Sequence, residues 1–440
     1  MTVRIPESVR FCIDALESAG FAAYLVGGCV RDAYLGLIPH DFDLCTSALP
    51  EQTEAVFQDF SLVLAGKKHG TVGVVTESGV VEITTFRTEG DYTDSRHPQW
   101  VEFVPSIEQD LARRDFTVNA MAWSPIRGFA DPFGGRQDLE NKCLRAVGDP
   151  GARFEEDALR ILRGVRFSAR YGLAVEKATK DAMVTLAPRL EHLARERVFE
   201  ELSKFLLCAR AEDLIDFAPI LAQAIPELAP LIGFDQKNSH HSYDAYTHTA
   251  HVTAAVPETL VLRWAALLHD VGKPATFTVD EAGQGHFYGH AAESARIADT
   301  VLRRLKSPTA LREQAAVLIE QHMTKLEPDK RLLRRRLSKL GEETLLQLLC
   351  LQEADMSSKG TGKPEEATQF GQLRQLLDEI KAEKACLSLK DLAVGGHDLM
   401  ALGFAGPAIG KTLQALLEQV LDETIPNEKE TLLTAARRLL

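Results

Sequence analysis

Several features that would place the chain in a specialised class are missing from its sequence. No apolar run approaches the ~18 residues that a membrane span needs, and the opening MTVRIPESVR lacks the apolar segment of a signal peptide. The seven cysteines are scattered and never spaced as C-x-x-C, which argues against a disulfide framework or a zinc ribbon and predicts reduced, mostly buried thiols. We therefore expect a cytoplasmic protein without membrane association, and no segment indicates an obligate protein partner.

Excess positive charge is also missing, since the formal net charge at pH 7 is −13. This argues against a domain that coats nucleic acid nonspecifically, but it leaves open a local basic surface that binds RNA. Basic residues cluster at 160–170 and at 330–339. Taken alone, the second cluster is more typical of a solvated helix face than of a binding surface.

The order of periodic segments predicts an α+β protein. A helix is predicted over 8–19, and β-branched or aromatic runs bounded by turn residues then predict strands. The predicted strands cover 21–26, 70–76, 79–86 and 100–104. From Phe154 onward, apolar residues recur at helical spacing and strand signals nearly vanish. The expected fold is a mixed α/β head followed by an elongated all-α remainder.

Polar, turn-rich segments divide this remainder. FDQKNSHHS at 234–242 and SSKGTGKPEE at 357–366 have the composition of domain boundaries, and the length of the chain suggests roughly two to four domains. The predicted domains are a head at 1–145, a helical neck and body at 146–233, an all-α domain at 234–360 and a helical tail at 361–440.

The segment LVGGCVRDAYLGLIPHDFDL, at 25–44, places two glycines directly after an apolar run. Because a turn at Gly27 and Gly28 has no side chains, its backbone N–H groups can approach a phosphate closely. Arg31, at the start of the following helix, can neutralise phosphate charge. Asp32 is expected to orient the turn or Arg31 by hydrogen bonding, without binding metal.

Two carboxylates end the same segment. Asp41 and Asp43 are two residues apart, so on a strand both project from one face, where their like charges repel unless a cation lies between them. Mg²⁺ takes oxygen ligands and bridges carboxylates to substrate phosphates. Glu82, in the predicted strand at 79–86, is the candidate for a third carboxylate in two-metal phosphoryl transfer.

Further motifs follow in order along about the first 200 residues. They read EITTFR, RRDFTVNAMA, DPFGGRQDL, EEDALRILRGVRF and RERV, beginning at Glu82, Arg113, Asp131, Glu155 and Arg195. Together with GGCVRD and DFDL, this set resembles the motifs of bacterial class II tRNA nucleotidyltransferases. These are the CCA-adding enzymes of the polymerase-beta-type nucleotidyltransferase superfamily.

The resemblance implies a polymerase-beta-like head, tRNA as partner, ATP and CTP as substrates, and Mg²⁺ as the cofactor of the head. The family's metal ligands fall on Asp41 and Asp43, and Glu82 fits the pattern of a third catalytic carboxylate. Its nucleotide contacts fall on Gly28, Arg31, Arg114, Asp157, Arg160, Arg163 and Arg166. Its mobile loop corresponds to RTEGDYTDSRHP at 87–98.

Asp157 and Arg160 also suggest how bases are selected. At spacing i, i+3 on a helix they share a face, where the carboxylate accepts from the exocyclic amine of C or A and the guanidinium donates to a ring acceptor. Guanine and uracil carry a carbonyl in place of that amine. An unsatisfied buried group costs about 1–3 kcal/mol, so the pair can discriminate between bases. The alternative is an ordinary helix salt bridge.

Histidines and aspartates in the middle of the chain are distributed over several predicted helices. Imidazole and carboxylate groups from separate helices can converge on a divalent transition-metal ion in a bundle core. The pattern resembles the HD domain of metal-dependent phosphohydrolases, which implies an unidentified divalent metal as cofactor. The core ligands fall on His248, His269, Asp270 and Asp355, and the extra ligands of a two-metal site fall on His290 and His322. HD domains are also found attached to bacterial tRNA nucleotidyltransferases.

AGPAIGKT, at 405–412, ends like a phosphate-binding P-loop. Ala405 stands where that signature needs glycine, Pro407 stiffens the loop and no βαβ unit follows, so we predict the start of a helix. The chain from Gly403 onward resembles the C-terminal module of HD-bearing bacterial tRNA nucleotidyltransferases. That resemblance implies contact with the body of the RNA.

The leading hypothesis is a template-independent tRNA nucleotidyltransferase that adds or repairs the 3′-terminal CCA from CTP and ATP. An A-adding or C-adding partial enzyme and a poly(A) polymerase are near alternatives. A phosphohydrolase that acts mainly through the HD site, on RNA ends or nucleotides, is the alternative of a different class. A noncatalytic RNA-binding protein would not need two metal constellations.

Overall fold

The computed structural model describes residues 4–39, 41–89, 101–237, 242–359 and 364–440. The chain forms two compact units, Met1–Ala229 and Pro230–Leu440. The finer division into four domains stays a prediction. Among the described helices, none combines the length and the apolar character that crossing a bilayer requires.

The first unit combines strands and helices. Its strands are β1 Ala23–Val26, β2 Leu44–Thr46, β3 Leu62–Val63, β4 Thr71–Thr76, β5 Gly79–Thr85, β6 Arg87–Glu89, β7 Val101–Phe103, β8 Ala122–Ser124, β9 Gly128–Ala130, β10 Cys143–Leu144 and β11 Ala174–Val175. Its helices are α1 Glu7–Ser18, α2 Gly28–Tyr34, α3 Pro50–Val56, α4 Ile107–Ala112, α5 Gly135–Glu140, α6 Pro150–Glu156, α7 Leu159–Tyr171, α8 Lys177–Leu186, α9 Arg195–Leu206, α10 Ala211–Asp216 and α11 Ala218–Ala224.

A seven-stranded sheet in the order β3-β4-β5-β2-β1-β8-β9 organises the head. β2 and β5 run parallel with Leu44 opposite Ile83, and the other neighbouring strands run antiparallel. Asp43 directly precedes β2 and Glu82 directly precedes Ile83 on β5, so this pairing places the two acids next to each other. The topology therefore brings together two acids that are far apart in sequence.

Apolar side chains from the central strands and from α4 form one core of the head. Val26 on β1 and Cys45 on β2 pack in the same buried cluster as Ile107 and Leu111 on α4. Full burial of an aliphatic side chain of this size stabilises the fold by roughly 1.5–3 kcal/mol. This packing fixes α4 against the strands that carry the acidic segment.

The second unit is almost entirely helical. Its helices are α12 Ala245–Ala255, α13 Leu260–Leu268, α14 Lys273–Thr276, α15 His290–Arg304, α16 Thr309–Gln321, α17 Lys330–Leu340, α18 Glu342–Ser357, α19 Pro364–Ala382, α20 Gly396–Ala401, α21 Pro407–Leu421 and α22 Lys429–Arg437. One short hairpin joins β12 Thr278–Val279 to β13 Gly285–His286. The bundle core includes Trp264, Leu268, Leu318 and Leu348.

The predicted α/β head and helical remainder are confirmed. All four predicted strands occur in shortened form, and a helix begins at Pro407, as the reading of AGPAIGKT requires. The cysteines are free as predicted, but fewer are buried than expected, since only Cys12, Cys29 and Cys45 are buried. Most of the predicted mobile loop, at 90–98, lies outside the described residues, and 87–89 form β6.

Candidate active site and metal centre

The turn between β1 and α2 requires glycine for two reasons. Gly27 has φ +72°, and a Cβ there would lie 2.7 Å from Nη1 of Arg114. A side chain would therefore be strained and would also displace the arginine. Arg114 belongs to the motif RRDFTVNAMA, far along the sequence, and packs directly against this turn.

Three acids line one cavity of about 670 Å³ in the first unit: Asp41, Asp43 and Glu82. The two aspartates precede β2 and do not lie in it, which corrects the expectation that strand geometry aligns them. The backbone instead anchors them, because the N–H of Val26 donates to the carbonyl of Asp43 at 3.1 Å. Burial raises the pKa of Asp43, Arg114 opposes this shift and Asp41 adds to it. A divalent cation would stabilise the ionised carboxylate of Asp43.

Asp43 also lines a second cavity of about 460 Å³, which is rich in arginine. All seven predicted nucleotide contacts line this cavity: Gly28, Arg31, Arg114, Asp157, Arg160, Arg163 and Arg166. Sequence reasoning missed other lining residues, including Arg113, Asp115, Asn119 and Arg197. All four fall inside the motifs RRDFTVNAMA and RERV, so the signal was present in the sequence.

Arg31 is held by contacts on several sides. Its Nε donates to Asp32 at 2.8 Å, and its Nη1 donates to Asn119. The guanidinium lies 4.2 Å from the centre of the Tyr171 ring, whose hydroxyl donates to Asp32 at 3.0 Å. The prediction that Asp32 contacts Arg31 by hydrogen bonding is confirmed. Cation–π contact and ion pairing together limit the orientations open to this arginine.

Two arginines of α7 are also paired with acids. Arg163 donates through Nε to Asp115 at 2.7 Å, and Arg166 donates to Glu201 at 2.6 Å. Burial would raise the pKa of Asp115, but Arg163 and Asn119 lower it to about 2. Asp115 is therefore a charged anchor, which holds Arg163 at the cavity.

Asp157 and Arg160 do not lie on one helix, which corrects the i, i+3 argument. Asp157, with φ −144° and ψ 104°, separates α6 from α7. Its carboxylate accepts from Arg197 at 2.9 Å, while Arg160 donates to Glu156 at 2.5 Å and to the carbonyl of Arg113 at 3.2 Å. Each member of the predicted template pair thus has its own supporting partner.

Histidines and aspartates converge in the second unit. Two groups of three residues have ligand atoms within 4.8 Å of one another, and both contain Asp270. Nε2 of His269 lies 3.2 Å from Oδ2 of Asp270, and Nε2 of His290 lies 3.5 Å from its Oδ1. The structure brings all six predicted ligands together: His248, His269, Asp270, His290, His322 and Asp355.

The outer nitrogen of each histidine is next to a backbone carbonyl. Nδ1 lies 2.7 Å from a carbonyl at His269 and His290, 2.6 Å at His322 and 3.3 Å at His248. If Nδ1 carries the proton, Nε2 presents a lone pair toward the centre of the cluster. The Nε2 atoms of His290 and His322 lie 3.3 Å apart, which suits two ligands of one cation. This donor set fits a divalent transition metal.

Burial and mutual charge perturb the cluster. Burial and the neighbouring His269 lower the pKa of His322 to about 4, and burial lowers the pKa of His290. Burial would also lower the pKa of His269, but Asp270 and Asp355 raise it to about 10. Lys273, one turn after Asp270, lies 2.7 Å from the carboxylate and was missed in the sequence.

Four basic residues of α17 form ion pairs with acids of the second unit: Lys330, Arg331, Arg334 and Arg335. Lys330 and Arg334 contact Glu383, and Arg335 donates to Asp422 at 2.6 Å. Arg331 and Arg335 are about half exposed, which agrees with the interpretation of the cluster as a solvated helix face that carries ion pairs. Its charge joins α17 to the segments that follow α19 and α21.

Models of known families match three parts of the chain. Residues 23–145 match the "Poly A polymerase head domain", and residues 172–232 match the "Probable RNA and SrmB- binding site of polymerase A". Residues 290–436 match "tRNA nucleotidyltransferase domain 2". The first match includes the glycine turn, the three acids and Arg114.

Longer comparisons extend along nearly the whole chain. A CCA-adding enzyme of Geobacillus thermodenitrificans is 34% identical over 431 residues, 95% of this chain and 93% of that protein. A crystal structure of a Bacillus stearothermophilus CCA-adding enzyme in complex with CTP is 31% identical, covers 98% of this chain and 96% of its own, and has a TM-score of 0.73. A Thermotoga maritima CCA-adding enzyme complexed with tRNA, at 20% identity, shares the fold over 99% of this chain and 96% of its own, with a TM-score of 0.64. The chain therefore belongs to the family of CCA-adding enzymes and is a nucleotidyltransferase.

Proposed function

We propose that the protein builds or repairs the 3′-terminal CCA of tRNA from CTP and ATP. This proposal rests on the observation that one arginine-rich cavity and one acidic cavity share Asp43. Phosphoryl transfer needs this arrangement, because cations must hold the triphosphate while carboxylates hold metal ions at the reacting phosphate. The CTP complex of the Bacillus relative supports CTP as a substrate, and the tRNA complex of the Thermotoga relative supports tRNA.

Asp41, Asp43 and Glu82 would hold Mg²⁺, which supplies charge neutralisation at the reacting phosphate when bound. The RNA 3′ hydroxyl forms the new bond to the α-phosphorus, and the bond from that phosphorus to the leaving pyrophosphate breaks. Arg31, Arg114, Arg163 and Arg166 orient the triphosphate, and Gly28 leaves room for it at the turn. The arginines need little reorganisation, because acids already hold three of them in place.

Asp157 and Arg160 would read the incoming base. Although they are on separate elements, both line the arginine-rich cavity, where Arg197 donates to Asp157 and Glu156 accepts from Arg160. The carboxylate would accept from the amine that C and A share. This assignment keeps the predicted roles and replaces the shared helix face with two independently anchored side chains.

Nucleotide incorporation tests the proposal. Transcripts of tRNA that end before CCA, or at CC, are incubated with CTP and ATP separately and together, and the products are resolved by length. We expect CC addition with CTP and a final A with ATP. Addition of only A, or only C, would exclude complete CCA synthesis, and a long homopolymer of A would indicate a poly(A) polymerase.

The His/Asp cluster supports a second activity, metal-dependent hydrolysis of phosphate esters. Two ligand groups that share Asp270 are the specific observation in its favour, together with the cavity of about 320 Å³ that Lys273 and Lys359 line beside them. The four-domain division, with this cluster in an HD domain at 234–360 and a tail at 361–440 that contacts tRNA, belongs to the same proposal. RNA ends and nucleotides are the proposed substrates.

Metal binding and turnover test this second activity separately. In the metal-free protein, added Mn²⁺ is expected to raise the free energy of unfolding by about 2.7 kcal/mol at 100 times its Kd. His269→Ala should lose the part of this stabilisation that comes from the His/Asp cluster, and also the release of phosphate or the opening of a 2′,3′-cyclic end. Stabilisation without turnover would leave a metal site with no hydrolytic role.

A further inference from the structure

Asp110 is a buried carboxylate that the proposed mechanism does not use. It lies on α4, and its side chain is fully buried. Burial would raise its pKa, but Arg113 and Arg114 lower it, so the group is charged. A buried charge is retained only when partners compensate its desolvation, so the arrangement of those partners is informative.

The two oxygens of Asp110 have different partners. Oδ1 accepts from Nε and Nη2 of Arg113, at 3.1 and 3.0 Å, and from the backbone N–H of Arg87 at 3.3 Å. Oδ2 accepts from Nη2 of Arg114 at 3.4 Å and lies 3.8 Å from Sγ of Cys45 on β2. One carboxylate thus joins α4, the start of β6 and the strand that follows the acidic segment.

Arg114 contacts this carboxylate and also lines the cavity that Asp43 lines. Its Nη1 packs against Gly27, its side chain lines the arginine-rich cavity with Asp43, and its charge lowers the pKa of Asp43. Its buried Nε has no hydrogen-bond partner among the described residues. Asp110 therefore accepts from the Nη2 group of Arg114, while the Nε–H group has no acceptor in the described part of the chain.

We propose that Asp110 is a positioning residue that holds Arg114 away from Asp43, so that the guanidinium faces the nucleotide. Without this partner, Asp43, which lines the same cavity, would compete for the guanidinium of Arg114. An ion pair between Arg114 and Asp43 would occupy a proposed metal ligand and would remove donors from the triphosphate. The inference rests on the proposed function, in which Arg114 contacts the nucleotide.

A double-mutant cycle on CTP binding tests this role. Equilibrium dialysis of labelled CTP in EDTA, without tRNA, compares the wild-type chain with Asp110→Asn, Arg114→Gln and the double variant. We expect Asp110→Asn to weaken binding about tenfold in the wild-type background and less than twofold in the Arg114→Gln background, because coupled residues are not additive. Additive losses would overturn the positioning role. Wild-type CTP binding by Arg114→Gln would instead overturn the nucleotide contact.

A matched control separates positioning from general stability. Asp213 is another buried aspartate of the first unit, it pairs with Arg210 at spacing three, as Asp110 pairs with Arg113, and it does not line the cavity. Asp213→Asn should lower the melting temperature and leave CTP affinity unchanged. Equal CTP losses in both aspartate variants would overturn the proposal. If Asp110→Asn does not fold, Asp110→Glu enters the same cycle, and its coupling to Arg114 decides the outcome.

Discussion

The arginine-rich cavity of the first unit and the His/Asp cluster of the second unit solve opposite electrostatic problems. In the first, acids hold the arginines Arg31, Arg163 and Arg166 in fixed positions. An arginine stays protonated and keeps further N–H groups after one ion pair, so it can be anchored and still bind an anion. In the second, histidines whose Nδ1 atoms lie beside backbone carbonyls surround Asp270.

This contrast shows how buried side chains at each site keep atoms free to bind a ligand. A histidine has two ring nitrogens, so using one for anchoring leaves a single atom for a cation. The anion site is therefore built from charged pairs, whereas the cation site is built from groups that are suited to metal only when they are deprotonated. The two sites should respond differently to the same class of substitution.

The largest expected effects come from one substitution at each site, because each should remove the function of its own site and leave the other site intact. Asp43→Asn should lower CTP and ATP incorporation by on the order of 10²–10³-fold, because a preorganised charge beside the reacting phosphate is lost. His269→Ala should leave incorporation within about twofold and remove the part of the stabilisation by Mn²⁺ that comes from the His/Asp cluster. Incorporation rates and melting curves measure both variants. Loss of incorporation in His269→Ala would contradict the independence of the sites.

An intermediate effect is expected from the base-reading pair. Asp157→Asn places an amide where the proposed function has the carboxylate accept from C and A, so the amide can donate to the carbonyl of U or G. The ratio of CTP to UTP incorporation should fall about 10–100-fold, which corresponds to about 1–3 kcal/mol of discrimination. Steady-state kinetics with each nucleotide measure it. Glu191→Gln, at an exposed residue outside the cavity, is the control, and an unchanged ratio in Asp157→Asn would exclude base reading by this residue.

The smallest expected effect concerns the basic helix α17. Arg334 contacts both Glu383 and Glu423, but the partners are substantially exposed. Exposed ion pairs contribute little, so Arg334→Gln should lower the melting temperature by only about 1–4 °C. Lys339→Gln, whose charge has no ion-pair partner among the described residues, should cause no measurable change. An equal shift in both variants would show that total charge matters and that the specific pairs do not.

Part of the fold and most of the candidate site residues could be predicted from the sequence. Alternating apolar residues located β4 and β5, and glycine and proline located the ends of helices such as α1 and α21. Short strands were missed, because three residues such as Leu44–Thr46 carry too little periodicity to identify. The i, i+3 argument for Asp157 failed because a local backbone break interrupts an otherwise helical pattern.

The sequence by itself determined the chemical inventory: a side-chain-free turn, the acids Asp41 and Asp43, a series of arginines and a set of histidines on several predicted helices. Only the tertiary structure decided which of these groups meet. The parallel pairing of β2 with β5 sets Glu82 beside Asp43, and the buried Asp110 joins Arg114 to elements that are distant in sequence. Local spacing specifies the faces of single helices and strands, whereas contacts between elements depend on how the whole chain buries its apolar surface.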